Sequence, residues 1–518
     1  MLKQFYAQLV RRGGGAPADV AARRISEKSH EPAASRIAVR AWMAADDYPS
    51  YDWTDLIADP LRERFVQGLA GRLDAVRLQP LLDELSSRNP AEAIDRMLCA
   101  DALLQYGLHR EAESLLETMV ERSDRLGARA AAILAHRCFD RGDFTRARCL
   151  IAGAARVAPE SGYCQLVLGQ LCEFEGRHEE AIAHFRRAHA LRPVSTRFLG
   201  HLAVALLGRG EIAEGLRTWV MVDYLLGLYP QMPLCPVWDG RPLGRDRLLV
   251  VTHFGFGDII QFLRFARLLR EREPQAHLSI AVPAPLARLA ADSGYFDAVH
   301  EDGVDRAQFD WQVSQMQLTL LLGVSMADVA SFGAYLNVPA ERIAAAGTWL
   351  PARRPGTRRV GLRWFGRDLP FNAKRSIPFE LLRPLFSVAG IEWVALAEDA
   401  GSLASLGEHP LLDVSRHIND FHDTAALASN LDLVLSVDTS VVHLTGALAL
   451  PVWMMARPDY EWRWGSDGDT GPWYESVRVF RHHGEFDWAA MVAEVEGALR
   501  QWIAQPGSAG LPDPKYCA

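Results

Sequence analysis

The sequence has no excess of positive charge. Its 56 lysines and arginines are outnumbered by 64 aspartates and glutamates, for a formal net charge of -8. A dedicated nucleic-acid binder carries a basic field, so no nucleic-acid partner is expected. Paired cysteines are missing as well. The seven cysteines (Cys99, Cys138, Cys149, Cys164, Cys172, Cys235 and Cys517) are odd in number, and none stands in a C-x-x-C pair. That pattern favours a reducing compartment over a disulfide framework. Long apolar runs are absent too. The longest uncharged stretch, residues 439–456, is broken by Gly446 and Pro451 and reads as helix then strand, not as a membrane span. Residues 1–20 lack the apolar centre of a signal peptide. The expectation is a cytoplasmic protein without a membrane span.

What is present is an ordinary globular composition, 49% hydrophobic and 23% charged over 518 residues. That length accommodates about three or four domains. Residues 1–40 mix Gly13-Gly14-Gly15 with small and charged residues and are expected to be a flexible tail. Residues 41–91 carry Leu56, Ile57, Leu61, Phe65, Leu69 and Leu73 at helical spacing, a small helical region. Then an internal repeat sets in. Gly107, Gly142, Gly176 and Gly210 are 35, 34 and 34 residues apart. Each is followed at fixed distances by a small residue (Ala112, Ala147, Ala181, Gly215) and a large one (Leu116, Ile151, Phe185, Trp219). Small residues let two antiparallel helices approach, glycine turns the chain, and the large residue fills the gap to the neighbour. The pattern over 92–226 resembles the tetratricopeptide repeat. Stacked helix pairs form a concave groove, usually for a polypeptide partner.

Pro230, Pro233, Pro236 and Pro242 interrupt regular structure, so 227–246 reads as a linker or a packed hinge. From Arg247 strands alternate with helices, the signature of parallel α/β layers. Strands are expected at 248–251, 277–282, 298–300 and 311–314, with a helix at 259–272. A break rich in proline and arginine at 351–358 separates a first α/β domain (247–350) from a second (351–505). In the second, strands are expected at 360–364, 393–397, 433–437 and 452–455, and helices at 379–386, 424–429 and 488–503. Residues 506–518 form a C-terminal tail. Two such domains imply a cleft.

The chain is organised around residues 433–448. Leu433 to Val437 is an apolar run of strand length, Asp438-Thr439-Ser440 is a polar turn, and the small-residue segment beyond continues as a helix. Strand, turn and helix make a phosphate cradle, because the helix start offers unpaired N–H groups. It reads equally as an ordinary βα unit with Asp438 as the helix cap. Gly255-Phe256-Gly257-Asp258 follows the first strand. Its glycines suit close backbone approach or positive φ, and Asp258 faces the cleft or caps the helix. Arg363-Trp364-Phe365-Gly366 and Lys374-Arg375 follow the first strand of the second domain. Lysine as a point charge and arginine as a fork suit a diphosphate, though a Lys-Arg pair in a solvated loop is the commoner case.

Here the chain resembles a known family. Gly255-Phe256-Gly257-Asp258-Ile259-Ile260-Gln261-Phe262-x-Arg264 is similar to the opening of bacterial proteins that join tetratricopeptide repeats to a glycosyltransferase. Gly361-Leu362-Arg363-Trp364, Arg375-Ser376-Ile377-Pro378, the run from Val437 to Leu448, and Trp462-Arg463-Trp464 resemble its later blocks. These blocks are also similar to lipopolysaccharide heptosyltransferases and, more distantly, to the O-linked N-acetylglucosamine transferases. One departure is His253-Phe254, where relatives often carry an acidic or glutamine residue. The resemblance implies an N-terminal tetratricopeptide-like α-solenoid followed by a GT-B-type pair of Rossmann-like α/β domains, acceptor side first and donor side second. It implies inverting, metal-independent transfer, with a nucleotide-sugar donor as substrate and no further cofactor. Asp258 would be the base. Lys374, Arg375, Asp438, Thr439, Ser440 and His443 would hold the donor, while Gly255, Gly257 and Gly366 would allow backbone approach. Gln261 and Arg264 would lie on the acceptor side. The protein acceptor, a flagellin or an adhesin, would dock in the repeat groove. Two alternatives stay open: transfer to a lipopolysaccharide or other glycan precursor, and a repeat scaffold whose α/β half only binds nucleotide. Asp467-Gly468-Asp469 has the D-x-D spacing of metal-dependent enzymes but lies in a loop away from the expected cleft strands. Trp462 and Trp464 read as packing residues or as stacking platforms.

Overall fold

The computed structural model describes residues 96–505, apart from 98, 101–102, 105–108, 142, 194, 226–234, 253–254, 302, 331, 367–374, 397–402, 404–407, 457–461, 466–467 and 482–486. The expected tails, the helical region 41–91, His253, Phe254, Lys374 and Asp467 lie outside the described residues.

The repeat region runs through α1 (His109–Glu117), α2 (Arg125–Arg141), α3 (Phe144–Val157), α4 (Gly162–Phe174), α5 (His178–Leu191), α6 (Thr196–Gly208) and α7 (Ile212–Leu225). Side-chain caps start four of these described helices. Asp124, Asp143, Ser161 and Ser195 each accept a bond from the backbone N–H three residues on. Gly176 and Gly210 take φ of 76° and 79° between paired helices, a conformation that favours glycine. The small positions do what close packing requires. A Cβ on Gly169 of α4 would lie 2.5 Å from the Phe185 ring of α5. Leu116, Ile151, Phe185 and Trp219 are all buried. Helix α6 is apolar on two faces. Phe198, Leu202, Ala205 and Leu206 pack into the repeat core, whereas Leu199, Ala203 and Leu207 enter the core of the α/β region.

The described part of the proline-bearing segment, residues 235–246, is packed against the first α/β half. Pro236 O accepts from Gln312 N at 2.9 Å, and Trp238 N donates to Gln312 O at 2.8 Å. Trp238 and Leu243 sit in the same core as Trp219 and Val250.

The first sheet contains β1 (Arg247–Val251), β2 (His277–Ala281), β3 (Ala298–His300) and β4 (Trp311–Ser314), in the order β3-β2-β1-β4. All its pairs are parallel. Helices α8 (Phe256–Arg272), α9 (Ala284–Asp292), α10 (Gln315–Leu321), α11 (Met326–Ala330) and α12 (Ala340–Gly347) accompany it. Burial of Leu248 to Val251 explains why β1 reads as a continuous apolar run.

The second sheet is built from β5 (Arg358–Arg363), α13 (Arg383–Phe386), β6 (Ile391–Ala395), α14 (Phe421–Ala428), β7 (Leu433–Val437), α15 (Ser440–Ala447), β8 (Val452–Ala456), β9 (Thr470–Gly471), β10 (Tyr474–Arg481) and α16 (Trp488–Ala504). Its order is β6-β5-β7-β8-β10-β9, parallel except for β9. Both sheets are doubly wound. Their order reverses between β1 and β4 and between β5 and β7, where ligands settle beyond the strand ends.

Several local readings differ from the expectation; α8 starts at Phe256 and not at 259, and β6 spans Ile391–Ala395 and not 393–397. Residues 379–386 are not one helix. A 3-10 turn (Phe379–Leu382) precedes α13, which carries Pro384 in its first turn. Proline has no N–H to continue a helix already under way. Helix α14 begins at Phe421 rather than 424, because Asp420 caps it by accepting from His422 N and Asp423 N. Strand β10 has no counterpart among the expected strands. Its Glu475, Arg478 and Arg481 hide the apolar pattern, and Arg478 lies over the Trp453 and Phe480 rings.

The two α/β halves touch along several elements. Tyr335 N and Leu336 N donate to Ala447 O at 3.0 and 3.2 Å. Arg288 of α9 pairs with Asp420 at 2.6 Å and with Asp423 at 2.9 Å.

Candidate functional site

Each half brings a strand end and a helix start to one place. In the first half β1 leads to Gly255, the N-cap of α8, and Asp258 is the third helical residue. Asp258 Oδ2 accepts from Gly255 N at 3.1 Å. This is the acidic half of a capping box, and glycine has no side chain to return the bond. Gly255 has an ordinary φ of −64°. Gly257 is small for another reason. A Cβ there would lie 2.7 Å from His443 Cδ2 and 3.5 Å from Ser440 Cα. The first turn of α8 therefore rests directly on the first turn of α15.

In the second half the cap of α15 is Thr439, not Asp438. Thr439 has φ −140° and ψ 173°, and its Oγ1 accepts from Val441 N at 3.4 Å. Asp438 is held by side chains instead. Its Oδ2 lies 3.2 Å from Arg375 Nη1, and its Oδ1 accepts from Trp464 Nε1 at 3.2 Å. Gly366 N, beyond the end of β5, donates to Ser376 Oγ at 3.2 Å. That bond fixes the chain beside Arg375.

Asp258 also has a partner from the opposite half. Arg463 Nη2 donates to Asp258 Oδ1. Arg463 Nε donates to Gln261 Oε1 at 2.6 Å, and the guanidinium lies 4.4 Å over the Trp462 ring. Burial pulls the Arg463 pKa down to about 9, which still leaves it cationic at neutral pH. Trp462 and Trp464 are buried and pack among Trp473, His443 and Tyr474. Sequence reasoning overlooked Arg463, although it stood inside the Trp-Arg-Trp block. A charged residue between two core tryptophans was the available signal.

His443 is enclosed. Its Nδ1 is 2.9 Å from the Tyr474 hydroxyl, and burial lowers its pKa to about 4, so the ring is neutral at pH 7. Gln261 is fully buried beneath Arg463. Arg264 is fully buried too, among the rings of Phe332, Tyr335, Trp473 and Tyr474, and its Nη1 donates to Trp473 O at 3.0 Å. It bridges the halves behind the site. Asp469 pairs with Arg478 at 3.5 Å.

The structure thus brings together Gly255, Gly257, Asp258, Gln261, Arg375, Asp438, Thr439, Ser440 and His443. Chemically this offers two carboxylates, one of them paired with the Arg375 guanidinium, and the backbone N–H groups at the start of α15, a set that can meet an anionic ligand beside a polar one.

Such a site between two doubly wound α/β layers is the frame in which known proteins compare. No protein-family model matches the chain. Protein FlbA of Caulobacter vibrioides is 27% identical over 333 residues, which cover 58% of this chain and 54% of that protein. The chain thus spans about half the length of the curated relative it matches. Among solved structures, a glycosyl transferase family 9 protein from Veillonella parvula covers 51% of this chain and 98% of its own, at 12% identity and a TM-score of 0.39. The E. coli ADP-heptose LPS heptosyltransferase II covers 50% and 100%, at 14% identity and a TM-score of 0.36. The Thermobaculum terrenum O-GlcNAc transferase covers 74% and 94%, at 15% identity and a TM-score of 0.24. Among the described residues no helix is long and apolar enough to cross a membrane.

Proposed function

We propose that the chain is an inverting glycosyltransferase of the GT-B type, moving a sugar from a nucleotide sugar to a protein acceptor docked by the repeats. The observation that carries this reading is the direct contact of Gly257 with Ser440 and His443. It brings the helix start that carries Asp258 against the start of α15, which follows Asp438, the partner of Arg375. In this reading Asp258 takes the proton of an acceptor hydroxyl as that oxygen attacks the anomeric carbon, a contribution of about 10²–10⁴-fold. The nucleoside diphosphate leaves on the opposite side. Arg375, with Lys374, and the amides at the start of α15 meet its charge. A flagellin or an adhesin is the kind of acceptor proposed, and the site of action is the cytoplasm. No metal is invoked.

The test is release of nucleoside diphosphate from a panel of nucleotide sugars, with and without protein acceptors. Asp258→Asn should abolish transfer while donor binding persists; full turnover by D258N sinks the base role. Removing α1 to α5 should hurt a protein acceptor more than donor hydrolysis. Helices α6 and α7 must stay, because they belong to the α/β core. A glycan precursor that is used while every protein acceptor is refused would move the acceptor class.

One observation favours a second reading. Both Asp258 oxygens are engaged, one by Gly255 N and one by Arg463. A half that binds nucleotide without transfer would keep its carboxylate so engaged. Tight nucleotide binding with no sugar release under any acceptor would establish that reading.

A further inference from the structure

Consecutive residues of one turn hold the two acids of the site. Arg463 reaches across to Asp258 of the first half, and Trp464 donates to Asp438 of the second. Neither side chain has room to wander. Arg463 is 3% exposed and Trp464 2%. The turn itself is anchored, because Arg481 Nη2 donates to Trp464 O. The holds on Arg463 include the Asp258 carboxylate, the Gln261 amide oxygen and the Trp462 ring.

We propose that Arg463 is a positioning residue for Asp258, and that residues 462–464 set the spacing between the acceptor-side acid and the donor-side acid. This rests on the glycosyltransferase reading. A base has to be anionic and aimed before the acceptor arrives. With Gly255 N on one oxygen and Arg463 on the other, the carboxylate plane is fixed and its charge is favoured. The second lone pair of each oxygen stays available for an incoming hydroxyl. Lysine cannot copy the hold, because one ammonium replaces a fork that grips Asp258 and Gln261 through different nitrogens.

The experiment uses the full chain with Arg463→Gln and Arg463→Lys, each checked first by thermal melting. For R463Q the expected result is a kcat lower by about 10²-fold, as for a misplaced reacting group. Donor KM should stay within about twofold of the starting protein, an estimate that assigns Arg463 to aim and not to donor binding. The acidic limb of the pH–rate profile should move up by about one unit or more, since the neighbouring cation is gone. R463K should restore the acidic limb but not kcat. A purely structural arginine would lower melting temperature and leave the limb in place. An R463Q protein with unchanged kcat and limb overturns the proposal. If R463Q does not fold, R463K decides alone, and a kcat equal to the starting protein overturns it. Carboxyl-labelled aspartate gives a readout without turnover, with the Asp258 resonance assigned by D258N. Equal titration of that resonance with and without Arg463 overturns the proposal even if no donor is ever turned over. Failure to release nucleoside diphosphate at all instead removes the glycosyltransferase reading.

Discussion

The His443 ring occupies the space that a side chain on Gly257 would need, with Cδ2 2.7 Å from the position of a Cβ there. This contact joins the two α/β halves at the candidate site. The imidazole is held from behind by the Tyr474 hydroxyl at 2.9 Å, so it cannot retreat cheaply.

Gly257→Ala should therefore pry the helix starts of α8 and α15 apart. Overpacking of this kind costs about 1–3 kcal/mol. Denaturant unfolding measures it, and an unchanged midpoint would show that the contact is soft. Gly153→Ala, with nothing within 4 Å of its Cβ position, serves as the control.

His443 should make stability fall in acid. Its folded pKa, about 4, lies below the ordinary histidine value of 6.5. The unfolded chain thus binds the proton more readily, and stability is complete above about pH 6.5 and drops as pH falls toward 4. The difference corresponds to roughly 3 kcal/mol. Melting curves across that window should be flatter for His443→Phe than for the unaltered chain.

Arg375→Met should weaken binding of a nucleoside diphosphate by roughly tenfold to a hundredfold, the usual worth of a charged hydrogen bond. Arg375 is partly exposed, with a quarter of its side chain open to solvent, so the melting temperature should barely move. Calorimetric titration reads the first quantity and thermal melting the second. Undiminished affinity would take Arg375 out of the donor site.

Gly169→Ala should loosen the repeats, because the new Cβ would meet the Phe185 ring at 2.5 Å. A loss of about 1–3 kcal/mol is expected. Limited proteolysis should then cut between α4 and α5 first. Cleavage elsewhere would mean that the ring moves aside.

Much of this architecture was legible in the amino-acid order. The repeat spacing located the glycine turns at Gly176 and Gly210, and the short apolar runs marked β3, β4 and β7 at their observed bounds. What stayed hidden was hidden by charge. Strand β10 escaped because a charged residue, Arg478, sits within it with its guanidinium over aromatic rings. Arg463 escaped because its partners Asp258 and Gln261 lie some two hundred residues away in sequence, beyond the reach of any local pattern. The cap of α15 was ambiguous for a related reason. Asp438 and Thr439 are both good caps, and only Arg375 and Trp464, brought in by other elements, draw the aspartate away.

Helix α6 ends the matter of where one module stops and the next begins. With Phe198 and Leu202 facing backward and Leu199, Ala203 and Leu207 facing forward, it is a party wall shared by two rooms. A chimera that exchanged repeat arrays at the prolines after α7 would tear out one side of that wall. A retargeted protein would have to be spliced upstream of Ser195, keeping α6 and α7 with the α/β body they complete.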